Sequence, residues 1–263
     1  MRQCYVLRVF TRGDEGGNHL GAIVDPTGLD TAMMQSIAAE LAFSETVFID
    51  TSGDVPHCRI FTPASELPFA GHPLVGASWL IHHLSSQSLS QVTCEIGAID
   101  VEPGATTATI GAPGRQPATG LTEDRLDGLG LPGVVSAFSV AMPLPYTVVE
   151  MRSAEAVSAF RPIESVLAAH PHGEMLTLWA ESEDGVRLRF FAPGHGVFED
   201  PATGSAAVAL AAVRRRSGVP TGSVLISQGA EVGMPSLIVL DWDADRTRVG
   251  GEVRHDETRE LEI

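Results

Sequence analysis

An internal repeat constrains this chain more than any other feature. "RIFTPASELPFAGHPLVGASWL", beginning at Arg59, matches "RFFAPGHGVFEDPATGSAAVAL", beginning at Arg189. Arg59 aligns with Arg189, Phe61 with Phe191 and Pro63 with Pro193. With a three-residue insertion in the second copy, Gly71 aligns with Gly204 and His72 with Ser205. Each copy runs from a strand-like segment through a turn into a very apolar segment, so the chain must build the same supersecondary unit twice.

The rest of the pattern fits two such units of mixed helix and strand. "MRQCYVLRVF" reads as a first strand, and Asp30 is a plausible N-cap for a helix to Leu41, with Met33, Met34, Ile37, Ala38 and Leu41 at helical spacing. "TVFID" and "CRIFT" read as strands. His72 to Leu84 reads as a helix with so little polar surface that it must be buried on all sides. After a serine-rich turn, "QVTCEI", "AIDVE" and "TTATIG" are short strands. "GAPGRQPATG", Gly111 to Gly120, is the best linker, because its Gly and Pro content opposes both helix and strand. Beyond it, strands are predicted at Val135 to Ala141, Tyr146 to Glu150, Met175 to Ala180 and Val186 to Phe191. A helix follows over Gly204 to Ser217, then strands at Val224 to Ser227 and Leu237 to Leu240. The expected division is 1–115 and 116–263, with the last strand pairing back to the first domain.

Composition narrows the function. The chain of 263 residues carries 17 Lys and Arg against 33 Asp and Glu, a net charge of -16 that disfavours nucleic acid and anionic membrane as partners. No apolar run approaches the roughly 20 residues of a membrane span, and no targeting segment is evident, so a cytoplasmic location is expected. Cys4, Cys58 and Cys94 are odd in number and lack CxxC spacing, which indicates neither a disulfide framework nor a zinc site.

If an acidic protein binds an acid, a local device must hold it. The start of a helix offers unpaired backbone N–H groups and the positive end of its dipole. Two such starts, at Gly71 and Gly204, could hold a small carboxylate between them. Around them stand candidates for proton handling. Glu45, among Phe43, Val47 and Phe48, is expected to be partly desolvated, which raises a carboxyl towards the range useful for proton transfer. His72 is a possible second proton carrier, and Asp200 and Ser205 complete the polar set. Each has a structural alternative: the glycines permit tight turns, Glu45 begins a strand, His72 and Ser205 cap helices, and Asp200 complements a helix dipole.

The motifs "GGNHLGAIV", "FSETVF", "FTPASELPFAGHPLVGA", "EDPATGSAA" and "SQGAEVGMPS", in that order, resemble those of the PhzF family, the phenazine-biosynthesis isomerase and its relatives. The resemblance implies an α+β, diaminopimelate epimerase-like fold: two pseudo-symmetric domains, each a β-barrel wrapped around a central helix, with the active site in the cleft between them. It implies a homodimer that uses no metal or organic cofactor. On the matching motifs, Glu45 is the general acid/base and His72, Asp200 and Ser205 serve binding or proton handling. Gly71 and Gly204 offer helix starts to the substrate carboxylate, and Asn18 lies in the substrate-binding loop. His19 stands where the family has Pro, which bears on the conformation of that loop. The implied reaction is that of trans-2,3-dihydro-3-hydroxyanthranilate isomerase, a proton moved between carbons of one π-system; single-base epimerisation, a lyase reaction, or a non-catalytic acid-binding dimer are the alternatives.

Other readings fit less well. Racemases of the same fold use a thiol in each domain's turn, and none of the three cysteines lies in either turn. A hydrolase with Ser205 as nucleophile lacks the G-x-S-x-G elbow. "GDEGGNHLG" lacks the G-x-G-x-x-G of a dinucleotide fold. Asp241, Asp243, Asp245 and Glu252 have the spacing of a calcium loop, but Arg246 replaces its glycine and a strand precedes it, so a hairpin turn is expected. "RRR" at Arg214 to Arg216 reads as compensation of a helix dipole, and His82, His83, His170 and His172 as surface residues.

Overall fold

The computed structural model describes residues 2–85, 88–112, 114–195 and 197–261. Pro113 of the expected linker and Ser86 and Gln87 of the expected serine-rich turn lie outside them. In the first half, β1 (Arg2–Thr11), β2 (Asn18–Val24), α1 (Thr31–Leu41), β3 (Glu45–Asp50), β4 (His57–Phe61), β5 (Glu66–Leu67) and α2 (Gly71–Ser85) lead to β6 (Gln91–Cys94), β7 (Gly97–Pro103) and β8 (Thr107–Gly111). The second half holds β9 (Ala118–Gly120), β10 (Val134–Val140), β11 (Tyr146–Met151), α3 (Ala154–Ala159), α4 (Glu164–Ala169), β12 (Leu176–Ser182), β13 (Gly185–Ala192) and β14 (Val197–Asp200). It ends with α5 (Gly204–Arg216), β15 (Gly222–Gln228), β16 (Ser236–Trp242) and β17 (Thr247–Leu261).

Strand pairing repeats the duplication element by element. β2 and β3 are parallel across α1, as β11 and β12 are across α3 and α4. β3 and β4 are antiparallel, like β12 and β13. β4 and β6 are parallel, with α2 between them in sequence, as β13 and β15 are with α5. The meander of β6, β7 and β8 repeats as β15, β16 and β17.

Closure of the sheets joins the halves. β17 pairs with β16 over its first residues, with β8 over Arg248 to Glu252, and with β1 from Glu252 to Leu261. It thereby closes the first sheet into a ring running β1, β2, β3, β4, β6, β7, β8, β17. In return β9, which follows β8, pairs with β10 of the second sheet. The predicted linker therefore ends in a strand; three residues with only backbone bonds to offer leave no side-chain periodicity to read.

The two apolar helices are the cores of these sheets. Every residue of α2 from Gly71 to Ile81 is buried, as are nine of α5. A helix surrounded by sheet has no solvent face, which is why neither shows a polar stripe. α1 instead lies outside the first sheet, capped by Asp30, whose side chain accepts from Met33 N. Two of the three arginines of the last turn of α5 do more than offset a dipole: Arg214 pairs with Glu181 over the Trp179 ring at 4.5 Å, and Arg215 holds the Asp243 and Arg246 carbonyls of the β16–β17 turn. That turn is the expected hairpin: Asp243 Oδ1 accepts from the backbone N–H of Asp245 and Arg246.

Candidate active site

The repeated turns bring the starts of α2 and α5 together. A Cβ added to Gly71 would lie 3.0 Å from Cα of Gly204, and one added to Gly204 would lie 3.2 Å from Cα of Gly71. Glycine suits both positions because a Cβ on either would press on the other's backbone. Two helix N-termini in contact bring like dipole ends together, an arrangement favoured by a negative charge nearby.

Beside this contact opens a cleft with a total empty volume of about 690 Å³, counted to its open mouth. Glu45, Asp200, Thr203, Ser205 and Tyr146 supply polar groups to it, and Leu67, Phe69, Met142, Leu144, Met175 and Phe190 supply much of its apolar wall. Glu45 comes from the first residue of β3, Asp200 from the last of β14 and Ser205 from the second of α5. Asp200 is buried, and the Glu45 side chain is 14% exposed with its Oε2 buried. Burial pushes Glu45 up to about 7, against a weaker opposing hydrogen bond from Ser44. Burial, then the charge of Glu45, pushes Asp200 up to about 7, against His72 and hydrogen bonds from Thr203 and Asn18.

The partners of the two carboxyls differ sharply. Asp200 Oδ1 accepts from Asn18 Nδ2 at 2.8 Å and Oδ2 from the Thr203 hydroxyl at 2.6 Å. Gln228, 1% exposed, braces the same turn: its Oε1 accepts from Thr203 N, and its Nε2 donates to the Asp200 carbonyl and to Thr203 Oγ1. Asn18 also donates to the Ala202 carbonyl and accepts from the Ser44 hydroxyl, so it ties the second half's turn to the residue before Glu45. Glu45 Oε2, by contrast, has no hydrogen-bond partner.

His72 stands behind Glu45, away from the cleft wall. It is 2% exposed and does not line the cleft; its Nδ1 lies 3.2 Å from Glu45 Oε2 without hydrogen-bond geometry, and its Nε2 has no partner. Burial pushes the imidazole down to about 4, with Asp200 offsetting part of the effect. The contact is therefore one of a neutral ring with a carboxyl, and His72 backs Glu45 rather than facing a ligand. Ser205 departs from the capping expectation: its hydroxyl meets the Tyr146 phenol at 2.7 Å, and no side chain caps α5 because the N-cap Thr203 is engaged with Asp200. His19 belongs to β2, with its ring stacked on Phe43 at 5.7 Å and Nε2 4.0 Å from Asp256, and it does not line the cleft.

Sequence reasoning passed over Tyr146, Met175 and Gln228. Tyr146 and Met175 were only the edges of expected strands, and Gln228 sits in "SQGAEVGMPS" without a chemistry of its own. Among the described residues, no group of three or more His, Cys, Asp or Glu could hold a metal ion, and no helix is long and apolar enough to cross a membrane.

The profile of the phenazine biosynthesis-like protein family matches residues 7–255. The chain is 32% identical over 249 residues to the trans-2,3-dihydro-3-hydroxyanthranilate isomerase of Pseudomonas fluorescens, covering 90% of this chain and 89% of that one. A solved structure described as a predicted epimerase from Pseudomonas aeruginosa superposes with a TM-score of 0.82 at 28% identity, covering 100% of both chains. A probable proline racemase from Agrobacterium radiobacter shares the fold, with a TM-score of 0.68 at 9% identity over 100% of this chain and 93% of that one. The architecture is thus the diaminopimelate epimerase-like fold, and the chain belongs to the phenazine biosynthesis-like (PhzF) family of isomerases.

Proposed function

We propose that the protein moves a proton between carbons of a small carboxylic acid without a cofactor, and that Glu45 carries the proton. The observation that carries this reading is the asymmetry of the two cleft carboxyls: Glu45 is poised near 7 with its buried Oε2 unpartnered beside His72, whereas both oxygens of Asp200 are fixed by hydrogen bonds. A carboxyl near 7 exists in both protonation states at neutral pH, so it can act first as base and then as acid.

The substrate's carboxylate lies against the uncapped start of α5, whose backbone N–H groups and dipole stabilise the negative charge that develops on proton removal. The Glu45 carboxylate takes a proton from carbon, and the C–H electron pair enters the conjugated system. The carboxyl, whose proton exchanges with solvent, then delivers a proton to another carbon of the system while the double bond shifts. One proton is removed and one is added, so the product is an isomer. Asp200, fixed by Asn18, Thr203 and Gln228, holds a polar substituent of the substrate, and the apolar wall holds its carbon frame.

The test is a screen of small cyclic and amino-acid-like carboxylates in heavy water, with trans-2,3-dihydro-3-hydroxyanthranilate first because it is the substrate in the relatives' names. NMR reads deuterium entering carbon positions. Incorporation at a new carbon supports isomerisation, and incorporation with inversion at one carbon would identify an epimerase. Binding with no exchange in any compound would identify an acid-binding protein and overturn the proposal.

A further inference from the structure

Tyr146 opens β11 with its side chain 6% exposed and its ring stacked on Phe190, centroids 5.4 Å apart at 21°. Its phenol oxygen lies 2.7 Å from Oγ of Ser205, and both residues line the cleft that holds Glu45 and Asp200. Among the described residues no other hydrogen bond is made by either hydroxyl. Two hydroxyls carry two hydrogens, and a bond between them uses one. Whichever group donates, one hydrogen remains, and the space both residues face is the cleft. Burial raises the phenol's pKa, so it keeps its proton at neutral pH. Ser205 also stands in the first turn of α5, where no side chain competes for the helix start.

We propose that Tyr146 is a positioning residue: its hydrogen bond fixes the rotation of the Ser205 hydroxyl, so that the pair presents one O–H to an oxygen of the acid bound at the start of α5. This rests on the proposed function, in that the site receives a carboxylate, but it does not depend on Glu45 being the proton carrier. The alternative is that Tyr146 only packs against Phe190, a role that Phe would fill equally well.

The chain's two tyrosines, Tyr5 and Tyr146, make the pair directly observable. With carbon-13 at Cζ, the protein gives two tyrosine resonances, assigned with Tyr5→Phe, and benzoate serves as a carboxylate probe with an apolar ring. The Tyr146 resonance is expected to shift saturably as benzoate binds. Tyr146→Phe and Ser205→Ala are each expected to weaken benzoate about tenfold, the effect of losing one hydrogen bond to a charged group. The double variant is expected to bind no more weakly than the worse single variant, since the two act as a unit. Wild-type affinity in Tyr146→Phe, losses that multiply, or a Tyr146 resonance indifferent to benzoate each overturn the proposal. Running the cycle in the Glu45→Gln background separates the two claims, because a wrong proton carrier leaves the benzoate cycle unchanged.

Discussion

The two halves of the molecule share a scaffold and divide the chemistry. The alignment that matches Gly71 with Gly204 also matches Glu66 with Glu199, and each glutamate takes a bidentate ion pair from the duplicated arginine, Arg59 or Arg189. Each guanidinium lies over the phenylalanine two residues on, Phe61 at 5.2 Å and Phe191 at 4.9 Å. The residues that follow differ: Leu67, Phe69 and Ala70 in the first copy correspond to Asp200, Ala202 and Thr203 in the second. The strand register, Thr46 opposite Phe61 and Leu176 opposite Phe191, places Met175 where the first half has Glu45. Each half thus brings to the cleft an acid whose counterpart is apolar. A site with equivalent acids on both sides would suit removal of a proton on one face and delivery on the other. This one has a carboxyl with one unpartnered oxygen on one side and a carboxyl with both oxygens hydrogen-bonded on the other.

The paired arginines give the largest contrast. Arg59 and Glu66 have side chains 29% and 30% exposed, against 3% and 9% for Arg189 and Glu199, and Arg189 also donates to the carbonyls of Val157 and Phe160. Arg189→Met is expected to cost about 3–5 kcal/mol of unfolding free energy, because it strands a buried carboxylate. Arg59→Met is expected to cost about 1 kcal/mol, because solvent partly screens the half-buried pair. Urea denaturation of both variants checks this, and equal costs would break the distinction between the halves.

Glu45 should show as a cost in stability. With its pKa raised from 4.5 to about 7, the folded protein holds a proton that the unfolded chain has released. Stability attributable to this group therefore falls as pH rises from about 4.5 to about 7 and is level above that. Glu45→Gln removes the penalty, so the variant is expected to exceed wild type by about 3 kcal/mol at pH 8 and to match it near pH 4. His72 acts in the opposite sense, losing stability as pH falls from 6.5 towards 4, but it is present in both proteins and largely cancels in the comparison. Thermal melts at the two pH values measure the difference; an unchanged difference contradicts the raised pKa.

The glycine contact is shared by both halves and should respond equally from either side. Gly71→Ala and Gly204→Ala are each expected to cost about 1–3 kcal/mol as the helix starts are pushed apart. Gly120→Ala, with nothing within 4 Å of the added Cβ, is the control, with a shift of less than about 0.5 kcal/mol. Unequal losses would show that one turn yields more readily than the other.

Much of this was legible because the repeat is written in residues whose backbone or charge is irreplaceable, such as the glycines and the arginines. The helices were legible as cores because they lack a polar face. A last strand pairing back to the first domain was expected, but the extent of β17 was not legible: its outer part, exposed from Arg254 to Glu260, pairs on one side with β1 and carries "RHDETRE", which has no alternating apolar face. Tyr146 was illegible for a different reason. It lies 59 residues from Ser205, and only the closed second sheet brings the two hydroxyls together. His72 was read from its intrinsic basicity; the burial that lowers that basicity comes from a helix closed in by sheet.

The most direct test compares the two carboxyls in one assay. With a carboxylate that wild type labels in heavy water, Glu45→Gln and Asp200→Asn are each measured for deuterium entry at carbon and for binding. Glu45→Gln is expected to bind with little change and to lose at least about 10³-fold in exchange, the scale of a general acid/base. Asp200→Asn is expected to bind more weakly while keeping measurable exchange. Exchange that survives in Glu45→Gln, or that vanishes only in Asp200→Asn, would contradict the assignment of the proton to the first half.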